Sequence, residues 1–274
     1  MILEAPSPDA AQRAFAMRIT RLEDRAVRDL MARLEKTRSE LAGEVMSTDW
    51  DRFSIPRMKR AVERAMAQFR EEYKGVLDDA TSEAWVIGDQ ALPEMVSSQV
   101  GSYVPFPSLD PAVLTVAQEM TGDLITDITA DARGKIVGEI QRGLMGDRPI
   151  TDVMRRVGRN LDDKGVFRDI ADRAEVITRT ETSRVYNIAN HERDKQFSDM
   201  APDLGIVVTK RWISAHDSRS RPAHFAAHGQ EKPIDKPFIV GGEPLMFPLD
   251  PAASAWNTVN CRCTYRRLFN KKGA

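Results

Sequence analysis

The sequence predicts a mainly α protein, with long helical hairpins in its N-terminal half and a small α+β module at its C-terminal end. Three observations carry this. Apolar residues recur every three or four positions over most of the first 197 residues. Charged residues make up 30% of the chain against 7% aromatic, the balance of long solvated helices rather than of a sandwich. After Asp199 glycine and proline become frequent, helical periodicity fades and short extended segments begin. Two segments are expected: 1–149, an elongated helical region, and 150–274, a helix followed by the α+β module and a basic tail.

The first helix is expected from Asp9 to Val45, about 37 residues or roughly 55 Å at 1.5 Å per residue. Its stripe runs Phe15, Ile19, Leu22, Ala26, Leu30, Leu34, Leu41, Val45. Such a stripe needs a partner, and the turn-like STDWD segment and Pro56 lead into one. Met58, Val62, Ala65, Met66, Phe69, Tyr73 and Val76 predict the returning helix of an antiparallel hairpin. The segment VGSYVPFPSLDP, with three prolines and a glycine, is a break. Asp110 then fits an N-cap with Pro111 at the first helical position. From there Val113, Val116, Met120, Leu124, Ile128, Ala132, Ile136, Ile140 and Leu144 predict a third long helix ending near Gly146. Thr151 is placed as the cap of a short helix carrying Val153, Met154 and Val157. A last long helix is expected from Phe167 to about Phe197, with Ile170, Ala174, Ile177, Ile188 and Ala189 inward. Beyond it GIVVTKRWIS, KPFIV and EPLMFPL read as extended, and Gly241-Gly242 as a tight turn between the last two.

Composition excludes several classes of function. With 42% hydrophobic residues the chain is not a disordered one. Forty basic against forty-one acidic residues exclude a uniformly basic nucleic-acid coat. No apolar run approaches the roughly 20 residues of a bilayer span. The N-terminal residues show no basic-then-apolar secretory pattern, and two cysteines do not make a disulfide scaffold, so a cytoplasm-like compartment is expected. The charge is uneven: residues 1–165 carry a net −5 and residues 166–274 a net +4. Arg262, Arg266, Arg267, Lys271 and Lys272 follow one another with no acid between them, and are the residues expected to meet DNA phosphates.

The chemistry-bearing residues cluster in KRWISAHDSRSRPAHFAAHGQ at 210–230 and NCRC at 260–263. Three of the four histidines and both cysteines lie there. Zinc takes thiolate and imidazole ligands in a tetrahedron, so His224, His228, Cys261 and Cys263 form a candidate four-ligand site, the two histidines sharing one face of a helix. The alternative is a module stitched by hydrogen bonds, with Asp217 paired to an arginine and the cysteines buried. Cys-x-Cys is tighter than the usual zinc-binding Cys-x2-Cys loop. A Cys–His nucleophile lacks an activating signature, and no phosphate-binding glycine loop, nucleophile elbow or HExxH motif occurs. In RAEVITRTETSRVYNIAN at 173–190, Glu181 and Arg184 stand three apart on a helix and can pair, which favours a structural bridge between helix and module.

Taken together, Ile-Thr-Arg-Thr-Glu with Arg179, Thr180 and Glu181, Lys-Arg-Trp with Trp212, Asp217-x-Arg219-x-Arg221-x-x-His224, Gly229-Gln230, Pro237-Phe238, Pro248 and Asn260-Cys261-Arg262-Cys263 closely resemble the phage head morphogenesis family. These are minor capsid proteins similar to protein F of phage Mu. The resemblance covers about residues 150–265 and leaves the helical front half outside it. It implies a minor structural protein of a tailed-phage or prophage head, found in the virion head interior and, during assembly, in the host cytoplasm. The partners it implies are the portal or capsid interior, with packaged double-stranded DNA as a further contact; no membrane and no catalytic activity are implied. The alternative function is a metal-dependent hydrolase or nuclease centred on Asp217, His224, Cys261 and Cys263, with zinc as the cofactor.

Overall fold

The computed structural model describes residues 8–51, 53–100, 105–146, 148–204 and 206–271. The architecture is mainly α with a small C-terminal β module, as the sequence predicts. Five helices come first: α1 Pro8–Met46, α2 Ile55–Val100, α3 Pro111–Leu144, α4 Ile150–Val157 and α5 Val166–Met200. Then follow β1 Ile206–Ile213, α6 Pro222–Ala226, β2 Glu231–Pro233, β3 Phe238–Val240, β4 Glu243–Leu245, α7 Ala255–Thr258 and β5 Thr264–Lys271. Among the described residues no helix is long and apolar enough to cross a membrane.

The chain forms two compact units, one of Met1–Glu23, Ala80–Thr115 and Arg179–Ala274, the other of Asp24–Asp79 and Val116–Thr178. Both are discontinuous in sequence.

In the unit of Asp24–Asp79 and Val116–Thr178, α1 and α2 run antiparallel. Glu44 pairs with Arg64 at 2.7 Å and Arg33 with Glu72 at 3.9 Å, so rising numbers on one helix meet falling numbers on the other. The Asp51 carboxylate accepts the backbone N–H groups of Phe53 and Ser54, opening α2. Leu30, Leu34, Val62, Phe69 and Tyr73 are completely buried, as their stripes require. The Tyr73 hydroxyl donates to the Ala174 carbonyl at 2.9 Å, which ties α2 to α5. Thr151 lies inside α4, whose N-cap position is Pro149 and carries no side-chain cap; the expected Thr151 cap is therefore corrected.

The start of α3 is as expected, with the Asp110 carboxylate accepting the Ala112 N–H at 2.9 Å. Its stripe is not. Thr121, Ile125, Ile128, Thr129, Ala132, Ile136 and Ile140 are buried, whereas Val116, Met120 and Leu124 are 56%, 49% and 40% exposed. Each step of four residues advances about 40° beyond a full turn, so a string of such steps drifts off one helical face. The second half of the stripe faces inward and the first half faces water.

In the other unit, α2 extends well past the expected Val76. It meets α5 at Gly88, where a Cβ would lie 2.6 Å from the Tyr186 carbonyl and 2.8 Å from the Ala189 Cβ. One turn later Pro93 has no N–H to give the Asp89 carbonyl. The buried Arg193 supplies it: its Nε donates to that carbonyl at 3.3 Å and to the Asp89 carboxylate at 2.5 Å, while Nη1 reaches the Pro107 carbonyl.

Three antiparallel strands form a sheet in the order β2-β1-β5, with Lys210 opposite Arg267 and Arg211 opposite Glu231. β3 and β4 form a separate hairpin. Gly241 and Gly242 at its tip have φ of +59° and +86°, the paired left-handed geometry of a two-residue turn that the Gly-Gly signal predicts. Trp212, Phe238, Val240, Leu245, Leu249, Cys261, Cys263 and Tyr265 make the core of this module. β5 is not anticipated by the sequence pattern, which reads as a basic tail there. Lys272 lies outside the described residues, as does the Lys271 side chain.

Candidate functional site

The motif residues assemble around the joint between α5 and the β module. From α5, Arg184 Nη1 reaches both oxygens of the buried Glu181 at 2.5 and 2.6 Å, and its Nε donates to the Leu249 carbonyl at 3.2 Å. Leu249 has φ +69°, a costly backbone for a bulky residue, and this hydrogen bond is one of the contacts that hold it. The Thr180 hydroxyl accepts the Asn260 N–H at 3.1 Å, and Asn260 itself sits at φ +56°, which asparagine tolerates. Arg179 is 3.9 Å from Glu23. The expected Glu181–Arg184 pair is present, and it bridges helix to module.

The 214–221 loop is organised by Asp217. Its carboxylate accepts the Arg219 N–H at 3.0 Å, the Ser220 hydroxyl at 3.2 Å and Arg262 Nη2 at 2.7 Å. The Arg262 guanidinium, with these smaller contributions, holds the Asp217 carboxyl down at about 2. Arg221 donates to the Val259 carbonyl at 2.7 Å, and the Arg219 side chain is largely exposed.

Behind this loop lies the buried dithiol and imidazole. His224 Nδ1 is 3.3 Å from Cys263 Sγ and 3.4 Å from Cys261 Sγ, and its Nε2 is 3.2 Å from Asn257 Oδ1. Asn257 donates its amide N–H to the Val240 carbonyl at 3.1 Å, which leaves Oδ1 as the acceptor facing His224. Nε2 therefore carries a proton, and in the neutral ring the Nδ1 lone pair faces the two sulfurs. His224, Cys261 and Cys263 are 2%, 6% and 5% exposed. Hydrogen bonding from Cys261 pulls the Cys263 thiol down to about 5 against the opposing effect of burial. The same pairing, with burial, pushes Cys261 up. The Trp212 ring meets His224 edge-on at 5.9 Å and Phe238 at 5.3 Å.

Two expectations are corrected here. His228 does not join His224, because α6 ends at Ala226 and the two histidines no longer share a helical face. His228 instead accepts the Ser214 N–H on Nδ1 and meets His216 edge-on at 4.1 Å. Asp217 does not join the thiols either: among the described residues, His224, Cys261 and Cys263 are the group whose ligand atoms lie within 4.8 Å of one another, and the Asp217 carboxylate is engaged with Arg262. The Asp217 carboxylate therefore stands outside the His224, Cys261 and Cys263 group.

The expected phosphate-contacting tail is also redrawn. Arg267 is 4% exposed, its Nε pairs with the fully buried Asp194 and its Nη2 donates to Asn190 at 2.7 Å. Tyr265 donates to the other Asp194 oxygen. Burial pushes the Asp194 carboxyl up and its two donors pull it back down, while Asp194 raises Arg267. Arg262 is bound to Asp217, so neither it nor Arg267 presents a free guanidinium to a phosphate. Arg266 is half-buried.

Sequence reasoning misses Asn257, Asn190, His191 and Asp194, and the buried role of Lys210 within the Lys-Arg-Trp motif. Lys210 is wholly buried, donates to the Ile234 and Met246 carbonyls at 2.9 and 2.7 Å, and is pushed down to about 8 by burial. The signal that could have found it is the β1 alternation, in which Val208, Lys210 and Trp212 occupy one face.

A family model described as phage Mu protein F like protein matches residues 134–266, from the second half of α3 into β5. That segment is similar to the phage Mu protein F-like proteins. The chain is also similar to an NAD(+)--arginine ADP-ribosyltransferase, EFV, from Enterococcus faecalis (strain ATCC 700802 / V583), with 32% identity over 92 residues. Those residues are 32% of this chain and 17% of that protein, so the chain spans about a sixth of the relative's length. No solved structure matches the chain.

Proposed function

We propose that the chain is a minor structural component of a tailed-phage or prophage head, positioned at the portal and capsid interior, and that it is not an enzyme. The observation that carries this reading is how the Mu F-like motif residues use their polar groups. Glu181, through its pair with Arg184, and Thr180, Asn260, Asp217, Arg221 and Arg262 spend them on neighbouring side chains or backbone. Catalytic groups are held ready for a substrate; here Arg184 and Thr180 are consumed in joining α5 to the β module, and Asp217, Arg221 and Arg262 in bracing the module itself. The transferase activity in the relative's name is a property of a protein about six times longer than the matched stretch, and nothing in this geometry asks for it here.

In this reading the helical front half provides the surface for the portal or the capsid interior, and the β module is the rigid adaptor. The chain would be made in the host cytoplasm and retained in the virion. Contact with packaged DNA would fall to basic residues other than the paired Arg262 and the buried Arg267. Cross-linking of purified heads followed by mass spectrometry tests the placement: links from Lys36, Lys59 or Lys74 to portal subunits are expected. Links solely to proteins of the outer capsid surface or tail would overturn it.

A further inference from the structure

We propose that His224, Cys261 and Cys263 form a three-ligand site for zinc, with the imidazole bound through Nδ1 and the fourth position of the tetrahedron taken by water or hydroxide. The site is distinct from the motif contacts that join α5 to the module, and it stands whether or not the head reading holds.

Spacing comes first. With zinc bonds of about 2.3 Å to sulfur and 2.0–2.1 Å to nitrogen, a tetrahedral angle separates nitrogen from sulfur by about 3.6 Å. The two Nδ1 to Sγ distances are 3.3 and 3.4 Å, so seating an ion requires each pair to part by a few tenths of an ångström.

The second argument is the orientation of the imidazole. A metal-binding histidine must offer a lone pair on one nitrogen and usually donates the other N–H to an oxygen that fixes the ring. Asn257 receives that N–H from Nε2, and its own amide is fixed by the Val240 carbonyl. Asn257 is completely buried, so a polar side chain has been placed in the core where it orients this histidine.

The third argument is chemical class. Two thiols and an imidazole are soft and borderline donors, which select zinc over magnesium or calcium. All three are buried, so an ion held there would be shielded from exchange. Zinc binds sulfur as thiolate, so uptake displaces thiol protons and weakens as pH falls. The positive-φ Asn260 immediately before Cys261 turns the backbone so that two cysteines with one residue between them can face the same imidazole.

The test uses the full-length chain. Purified from zinc-supplemented cells, it should contain about one zinc per chain. After chelation, titration with cobalt(II) should produce the near-ultraviolet thiolate-to-cobalt charge-transfer band and the intense visible bands of a tetrahedral site, and zinc should bleach both. H228A should bind like the parent, whereas N257A should bind roughly 10–100-fold more weakly, the usual effect of removing an outer-shell partner. Parent protein that takes up no zinc and shows no charge-transfer band would overturn the proposal. So would one zinc per chain whose cobalt spectrum is abolished by H228A and untouched by N257A. C263S should lose the band; because it could also fail to fold, the parent and the two milder variants decide the question.

Discussion

Arg267→Met separates a buried structural arginine from a DNA-binding tail. The substitution keeps the length of the side chain and removes its charge. It leaves the wholly buried Asp194 carboxylate with the Tyr265 hydroxyl as its donor, and it strips Asn190 Oδ1 of the Nη2 bond at 2.7 Å. Breaking a buried pair from one side costs about 3–5 kcal/mol, because the surviving charge stays uncompensated. For a unit of about 150–250 residues each kcal/mol shifts the melting temperature by about 2–4 °C, so a fall of about 6–20 °C is expected. The double variant R267M/D194L should regain most of it, since removing both charges removes the penalty. Thermal and urea unfolding of the parent, the single and the double variant measure this. A single variant within about 0.5 kcal/mol of the parent, the range of ordinary surface substitutions, would refute the burial argument and return Arg267 to the tail.

The helical stripes make a paired prediction: Leu30→Asp, at a fully buried position, should cost at least about 3 kcal/mol, whereas Met120→Asp, at a half-exposed one, should change urea stability by less than about 0.5 kcal/mol. His191 is held down near 3 by burial, then by the charges of Lys210, Lys195 and Arg267. Between pH 6.5 and about 3 the unfolded chain therefore binds a proton that the folded chain refuses, and stability falls on acidification by up to about 1.4 kcal/mol per pH unit. His191→Leu should flatten the stability profile in that window; an unchanged slope would show that the imidazole is protonated in the fold. For DNA, burial of Arg267 and pairing of Arg262 remove two of the five expected tail contacts. The dependence of log affinity on log salt should then be no steeper than about −3, and a filter-binding slope near −5 would show that the paired arginines reach phosphates after all.

Long helices with clean apolar periods are legible in the sequence, and so is the Gly241-Gly242 hairpin, because each is encoded within a few residues. What escapes depends on partners far away in sequence. β5 alternates correctly, with Tyr265 and Arg267 inward and Arg266 between them, yet an inward arginine reads as a surface residue until Asp194, 73 residues earlier, is opposite it. The distal part of α2 is obscured for another reason. Its buried face is rich in alanine, at Ala80, Ala84 and Ala91, and Pro93 reads as a terminator unless Arg193 is known to serve the carbonyl it leaves free. At the candidate site, residue type alone finds His224 and the two cysteines. It wrongly joins His228 to them, because spacing of four implies a shared face only while the helix continues, and α6 stops two residues short. Asn257 gives no signal of its own, since its role exists solely through the folded position of His224.

The central claim is that this Mu F-like chain is a structural part of a phage head, and absolute quantification in purified particles tests it most directly. Procapsids and mature heads would be isolated from induced cells and digested, and the chain measured against isotope-labelled peptides, with the portal and major capsid proteins as internal standards. The account predicts that the chain is present in the particles at a copy number far below that of the major capsid protein and retained through washing. Its absence from both procapsids and mature heads, with the chain abundant in the soluble fraction of the same cells, would contradict it.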